Sequence, residues 1–193
     1  NAVTNGLYLN RQLSGTNGVN SILTNLGKIR NKGIEFSINA DVIKTRNFNW
    51  QISYNHTYNL SEVVGLDGTN ANISALSINR VGEKLNSIFV VKYAGVDPAT
   101  GDALYFKPDG KTTTNIYDPN DKVIVGVFDP PHFGGLTNTV NYKGIELSAQ
   151  FVYMFGHNIY NNDRTNVVNP AYAVSNLNID MLREWQKPGD ITD

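Results

Sequence analysis

The sequence predicts an all-β protein, an antiparallel meander of long strands forming a segment of a transmembrane β-barrel with long extracellular loops. Three observations carry that expectation. Residues 34–42 and 48–60 alternate apolar and polar at every step. The stretch "NKGIEFSINADV" returns nearly letter for letter as "YKGIELSAQFVYMF". Neutral side chains, Asn, Gln, Ser and Thr, fill the polar phase from 49 to 59, where a surface in bulk water carries charge.

The elements follow in order. Ile34, Phe36, Ile38, Ala40 and Val42 make an apolar row, with Glu35, Ser37, Asn39 and Asp41 between them. A polar turn through Lys44, Thr45, Arg46 and Asn47 leads to Phe48, Trp50, Ile52, Tyr54, His56, Tyr58 and Leu60, opposite Asn49, Gln51, Ser53, Asn55, Thr57 and Asn59. Residues 61–132 differ in texture, because clusters of Gly, Asp, Pro and Asn punctuate them, and Pro108, Asp109 and Gly110 read as a hairpin tip. So long an insert folds as short strands on a barrel rim rather than as structureless chain. From 133 to 142, Leu136, Val140 and Tyr142 share a side, with Asn138 as an exception. A tight turn through Lys143 and Gly144 then opens Ile145, Leu147, Ala149, Phe151, Tyr153 and Phe155, opposite Glu146, Ser148 and Gln150, before Val152 and Met154 break the polarity. The barrel strands therefore fall at approximately 20–60 and 133–156, the extracellular loop insert at 61–132, and an outer loop at 157–193 in which "MLREW" reads as a short helix.

Alternation alone also describes a soluble antiparallel sheet with one face on a core. Strand length favours the membrane, since runs of about 10 to 13 residues exceed the usual 5 to 6. So does the uncharged polar face between 49 and 59, and so do aromatics near strand ends, which mark the two membrane interfaces. Four such strands do not close a barrel, and an open sheet has no place in a bilayer. The chain, which starts at Asn1 without Met or a leader, therefore reads as a segment of something larger.

Composition removes several alternatives. A net charge of −1 supplies no basic field for nucleic acid. The absence of cysteine removes disulfides and thiolate metal sites. No apolar run approaches the ~18 residues of a spanning helix. His56, His132 and His157 lack zinc spacing, and no nucleophile, acid/base pair or phosphate loop stands out. "VDPATGD" and "DPNDK" carry carboxylates, but turns use the same residues and no EF-hand spacing is present. Neither a catalytic residue nor a cofactor or metal is expected.

The run "NLGKIRNKGIEFSINADVIKTRNFNWQISYNHTYNLSEVVGL" resembles the late barrel strands of TonB-dependent outer-membrane transporters. With "VGEKLNSIFVVKYAGVDPATGDALYF", "DPPHFGGLTNTVNYKGIELSAQFVYMFGHNIYN" and "LREWQKPGD" it is similar to the SusC/RagA-like subgroup of Bacteroidetes, over most of the chain from about residue 20. The resemblance implies a carboxy-proximal fragment of a barrel of about 22 strands, closed elsewhere by a plug that this sequence lacks. It implies a bacterial outer-membrane location, glycan or peptide uptake driven through TonB, and a SusD-like lipoprotein lid. A soluble or surface-attached β-sheet carbohydrate-binding module is the competing expectation.

Within that frame the lumen-facing candidates are Glu35, Asn39, Gln51, Asn55, Glu146 and Gln150. Glu35 and Glu146 each follow a Lys-Gly pair and are expected at matched positions near the periplasmic end. Tyr93, Tyr105, Phe106 and Tyr117 are the candidates for ligand contact on the outward loop, where aromatics stack on sugars or pack the loop's own small cores.

Overall fold

The computed structural model describes residues 1–12, 16, 18, 21–66, 68, 70–169 and 176–192. The chain divides into two units, Asn1–Ser87 with Gly126–Asn158, and Ile88–Val125 with Ile159–Asp193.

In the first unit five long strands form one antiparallel sheet: β1 (Ala2–Gln12), β2 (Ser21–Lys44), β3 (Phe48–Leu66), β11 (His132–Tyr142) and β12 (Ile145–Phe155), in the order β1-β2-β3-β11-β12. At 24 and 19 residues β2 and β3 overrun their regions of strict alternation. β1 lies where no barrel strand is expected from the sequence. Two turns bring the sheet back at one end. Lys143 and Gly144 adopt φ of 50° and 87°, the left-handed pair that a two-residue hairpin needs, which Gly supplies without steric cost. The Thr45 amide closes the other turn on the Phe48 carbonyl at 2.9 Å, and the Lys143 amide donates to the Asn47 carbonyl at 2.8 Å, tying the two turns together. The opposite end, from which the chain leaves β3 and re-enters β11, is called the loop end below.

At the loop end β11 stops, and the Asn59 amide donates its last bond to the Pro131 carbonyl at 2.9 Å. Residues 82–85 then take over the vacated edge of β3 through the Val63–Glu83, Gly82–Val63 and Leu85–Ser61 backbone bonds. This covers Val63, which is fully buried, and a small core forms there with Ile78 of β5 (Ser77–Arg80). That strand pairs antiparallel with β4 (Ala71–Ile73). β6 (Ser87–Val90) and β10 (Val123–Val127) run across the division between the units.

The second unit contains a three-stranded antiparallel sheet of β7 (Tyr93–Val96), β8 (Ala103–Phe106) and β9 (Thr113–Thr114). The β8–β9 hairpin turns through Pro108, Asp109 and Gly110. A short helix α1 (Asn162–Val167) is capped by Asn161, whose side-chain oxygen accepts from the Arg164 amide at 2.9 Å. The expected helix at 181–185 is a 3-10 turn over Ile179–Arg183. Among the described residues no helix is long and apolar enough to cross a membrane, which says nothing of strands.

Candidate functional site

Register decides what each face of the sheet carries. Ile34 lies opposite Tyr58, Phe36 opposite His56, Ile38 opposite Tyr54 and Ala40 opposite Ile52. Across β3, Leu136 meets Tyr54 and Val140 meets Trp50, and in turn Phe151 and Leu147 of β12. A bulge places both Val42 and Ile43 opposite Trp50. The apolar row thereby gains Ile43, and Lys44 swings onto the polar side.

Among the described residues nothing covers this apolar face. Ile34 and Leu147 are each 71% exposed, Ile145 75% and Phe151 60%, with Phe36, Ile38, Val42, Ile43, Tyr142 and Phe155 all above 40%. Leaving such side chains in water forfeits about 1.5–3 kcal/mol each. Ten of them in one contiguous patch call for an apolar partner outside the described residues, as hydrocarbon would be. From Ile34 to Ile43 the row spans about 30 Å along the strand, or about 23 Å at a 40° tilt, close to the ~25 Å apolar band of an outer-membrane barrel.

Polar residents of that face have partners. The Trp50 indole N–H donates to Asn138 Oδ1 at 3.4 Å, which accounts for the lone Asn in the row. The Tyr153 hydroxyl lies 2.8 Å from His56 Nδ1, 2.9 Å from the Tyr54 hydroxyl and 3.1 Å from the Asn55 carbonyl oxygen. Gly134, paired directly with Tyr153, makes the space: a Cβ there would collide with the Asn55 carbonyl oxygen and sit 2.6 Å from the Tyr153 hydroxyl. Far apart in sequence, His56 and His132 meet, with His132 Nδ1 3.4 Å from His56 Nε2, and the His132 ring stacks on Phe155 at 4.6 Å. An aromatic and imidazole girdle thus rims the loop end, as Phe48, Trp50 and Tyr142 rim the turn end.

The other face is a polar ladder. The Gln51 amide donates to Asp41 Oδ1 at 2.7 Å, Ser53 donates to Asn39 Oδ1 at 2.6 Å, and Thr139 and Ser148 hydroxyls pair at 3.2 Å. Asn55 lies between Ser37 and Gly135, and Gln150 opposite Thr137. Two adjoining depressions of about 330 and 370 Å³ open here; the first is lined by Asn39, Asp41, Gln51, Ser53, Thr137 and Thr139, and the second reaches Lys44, Asn141 and Glu146. Asp41, Lys44, Ser53, Thr137 and Thr139 were not singled out as candidates, although four of the five stand in the same alternating phase as those that were. Lys44 alone is placed by the bulge. Lys44 Nζ lies 3.3 Å from Asp41 Oδ2.

Five of the six wall candidates are brought onto one polar surface within or beside this ladder, but Glu35 and Glu146 do not share an end. Glu35 stands opposite Thr57 near the loop end, and Glu146 opposite Asn141, which faces Asn49 at the turn end. Eight residues of β3, about 26 Å, separate them. The reason is direction: β2 runs toward its turn and β12 away from its own, so the same "KGIE" start falls at opposite ends. Phe133, Val152 and Met154 make an apolar interruption on this face near Glu35.

In the second unit Tyr93 is paired with Tyr105 across strands, their rings 6.3 Å apart, and Tyr105 meets Tyr117 edge-on at 5.4 Å. Phe106 points to the other face, under Lys92 Nζ at 5.4 Å from the ring. Three of the four loop candidates therefore cluster and the fourth does not. The carboxylates of the two Asp-rich stretches are engaged locally: Asp97 accepts from the Ala99 amide and Asp118 from the Asn120 amide, each at 2.8 Å, and Asp121 holds Lys107 Nζ at 2.7 Å. Lys107 is raised above its ordinary pKa, first by that hydrogen bond. Among the described residues no group of three or more His, Asp or Glu could hold a metal ion.

No protein-family model matches the chain. It is 27% identical over 239 residues to TonB-dependent receptor P39 of Formosa agariphila, covering 98% of this chain and 23% of that one. With TonB-dependent receptor SusC of Bacteroides thetaiotaomicron it shares 28% identity over 169 residues, 80% of this chain and 17% of that one. Among solved structures it superimposes on the RagAB peptide transporter with a TM-score of 0.88 at 27% identity, covering 99% of this chain and 23% of that one. The open-open state of the RagAB peptide importer gives 0.83 at 28%. The chain spans about a fifth of the length of these curated relatives.

Proposed function

We propose, from the premise that this chain is a segment of a SusC/RagA-like TonB-dependent receptor barrel of the bacterial outer membrane, that it forms part of the wall along which a nutrient is taken up. The single observation behind this is the division of one sheet into an apolar face that no described residue covers and a polar, hydrogen-bonding face. Glu35, Asn39, Gln51, Asn55, Glu146 and Gln150, with Asp41 and Thr139, are its lumen side. Side-chain amides and hydroxyls there offer donors and acceptors to peptide or glycan groups, and Glu35, Asp41 and Glu146 add carboxylates. The loop end is the extracellular one, and Tyr93, Tyr105 and Tyr117 present an aromatic surface to incoming cargo. The role is passage and binding rather than catalysis.

Peptide cargo is favoured, because the solved structures matching 99% of the chain are of a peptide transporter. A TonB complex would supply the energy and a lipoprotein lid would close the loop end, both acting through the whole receptor. The soluble carbohydrate-binding alternative requires Phe36, Ile52 and Leu147 to lie beneath another protein layer, whereas Phe36 and Leu147 are more than half exposed. The test uses the absence of native cysteine in this segment. In the full-length receptor in cells, Thr139→Cys should react with a membrane-impermeant maleimide only when cargo is absent, and Leu147→Cys should not react. Peptide mixtures, not glycans, should protect Thr139→Cys. Labelling of Leu147→Cys with Thr139→Cys shielded would overturn the wall assignment.

A further inference from the structure

Beyond the girdle at the loop end, the outward face changes from apolar to cationic within one step of the pleat. Lys32, Arg30 and Lys28 continue the β2 row of Ile38, Phe36 and Ile34 at intervals of two residues, and the register shift between Lys28 and Ile29 takes up its extra residue on β3. Lys32 lies opposite Leu60, Arg30 opposite Glu62 and Lys28 opposite Gly65. The Lys28 stem lies over Gly65, where a Cβ would sit 3.8 Å from Lys28 Cβ and Cδ. Lys84 joins the patch as the antiparallel backbone bridge partner of Glu62, from the segment that continues the β3 edge.

Four cations therefore stand about two carboxylates, Glu62 and Asp129, the latter lining one depression with Leu60 and Lys84, a net charge of 4 − 2 = +2 over about 13 Å of strand. Glu62 does not neutralise them. Its contact with Arg30 is 3.7 Å long and more than a third exposed on both sides, a geometry worth little. Glu83 is taken by Arg80 at 3.0 Å, and β1 sets Val3 and Asn5, not acids, opposite Arg30 and Lys28.

We propose that this patch seats the headgroup of a phosphorylated glycolipid of the outer leaflet, whose acyl chains lie along the apolar row below it. The proposal rests on the outer-membrane barrel reading. Two features select this occupant. The cations are continuous with the hydrocarbon-facing row, with only Tyr58, His132 and Phe155 between them, so a ligand reaching both must be an amphiphile. The charge is positive, concentrated and unmatched, which suits a headgroup bearing two phosphates better than a zwitterionic one.

The experiment uses the full-length receptor in dodecyl maltoside and native mass spectrometry with diphosphoryl lipid A, the same lipid stripped of phosphate, and inorganic pyrophosphate. Wild type should retain diphosphoryl lipid A. Lys28→Gln, Arg30→Gln and Lys32→Gln together should weaken retention at least about tenfold, Glu62→Gln should strengthen it, and Lys143→Gln at the turn end should leave it unchanged. If the triple variant loses its heat-modifiable gel mobility, the single Lys32→Glu replaces it. Unaltered lipid A retention in a folded variant overturns the proposal, as does equal retention of the stripped lipid or full competition by pyrophosphate. Failure of the wild-type receptor to reach the outer membrane would instead overturn the barrel reading.

Discussion

His56 Nδ1 and the Tyr153 hydroxyl lie 2.8 Å apart on the hydrocarbon side of the sheet, 97 residues apart in the chain. Lipid satisfies neither polar atom, so His56 Nδ1 depends on the Tyr153 hydroxyl, which has Tyr54 and the Asn55 carbonyl as further partners. Tyr153→Phe should destabilise the detergent-solubilised receptor by about 1–3 kcal/mol, because His56 Nδ1 loses its partner. His56→Phe should cost less, since Tyr153 keeps Tyr54 and the Asn55 carbonyl. Gly134→Ala should exceed both by evicting the Tyr153 ring. Urea unfolding followed by heat-modifiable gel mobility ranks the three, and a wild-type midpoint for Gly134→Ala would contradict the packing described.

Trp50 and Asn138 make a second such pair, and a double-mutant cycle isolates it. Trp50→Phe strands the Asn138 amide against lipid and should cost about 1–3 kcal/mol. Asn138→Leu removes the acceptor and leaves the Trp50 N–H at the interface, where water reaches it, so its cost should be smaller. The double variant should recover most of the loss, because no unpaired polar group remains. Strict additivity of the two single changes would mean that the 3.4 Å contact contributes nothing.

The strands that alternate strictly were legible, and for a physical reason: a face in hydrocarbon tolerates no exceptions without partners. Asn138 and His56 broke the pattern because their partners, Trp50 and Tyr153, are chosen by cross-strand register, which a linear reading does not contain. β1 was missed because "AVTNGLYLNRQ" has no clean phase, and the register shifts on both sides of Leu7 explain why. The upper part of β3 was missed because Val63 is covered by residues 82–85 and needs no alternation. Lys-Gly was read as one signal with one position, yet Lys143 and Gly144 form a turn while Gly33 sits mid-strand, where a Cβ would collide with the Tyr58 carbonyl oxygen. The six wall candidates came from period two alone; their relative ends depended on strand direction, and Glu35 was therefore misplaced.

If the two faces have the solvents assigned to them, charge should discriminate adjacent residues. Ala149→Lys should cost about 2–4 kcal/mol near the midplane, whereas Ser148→Lys on the neighbouring residue should be nearly neutral. The readout is folding yield into lipid vesicles together with the unfolding midpoint. Equal penalties, or a larger one at Ser148, would reverse the sides.

The β8–β9 hairpin should respond to acid through Asp109. Its carboxylate accepts from the Thr112 hydroxyl at 2.6 Å and from the Lys111 and Thr112 amides at 2.9 Å each. These bonds, the hydroxyl first, hold it below its ordinary value of 3.8. A carboxyl depressed in the folded state adds stability that is complete above the unfolded value and lost as pH falls through the folded one. Lys107, raised by Asp121, works in the opposite sense: its contribution is complete below its ordinary 10.5 and lost as pH climbs through the raised value. Protection of the Lys111 and Thr112 amides from hydrogen exchange, corrected for intrinsic rates, should therefore be flat between these limits. It should drop below about pH 4, and Asp109→Ala should remove both that step and part of the plateau. Retention of the acid step in Asp109→Ala would assign it to another carboxylate, since the two amides would then be held by something other than the Asp109 side chain.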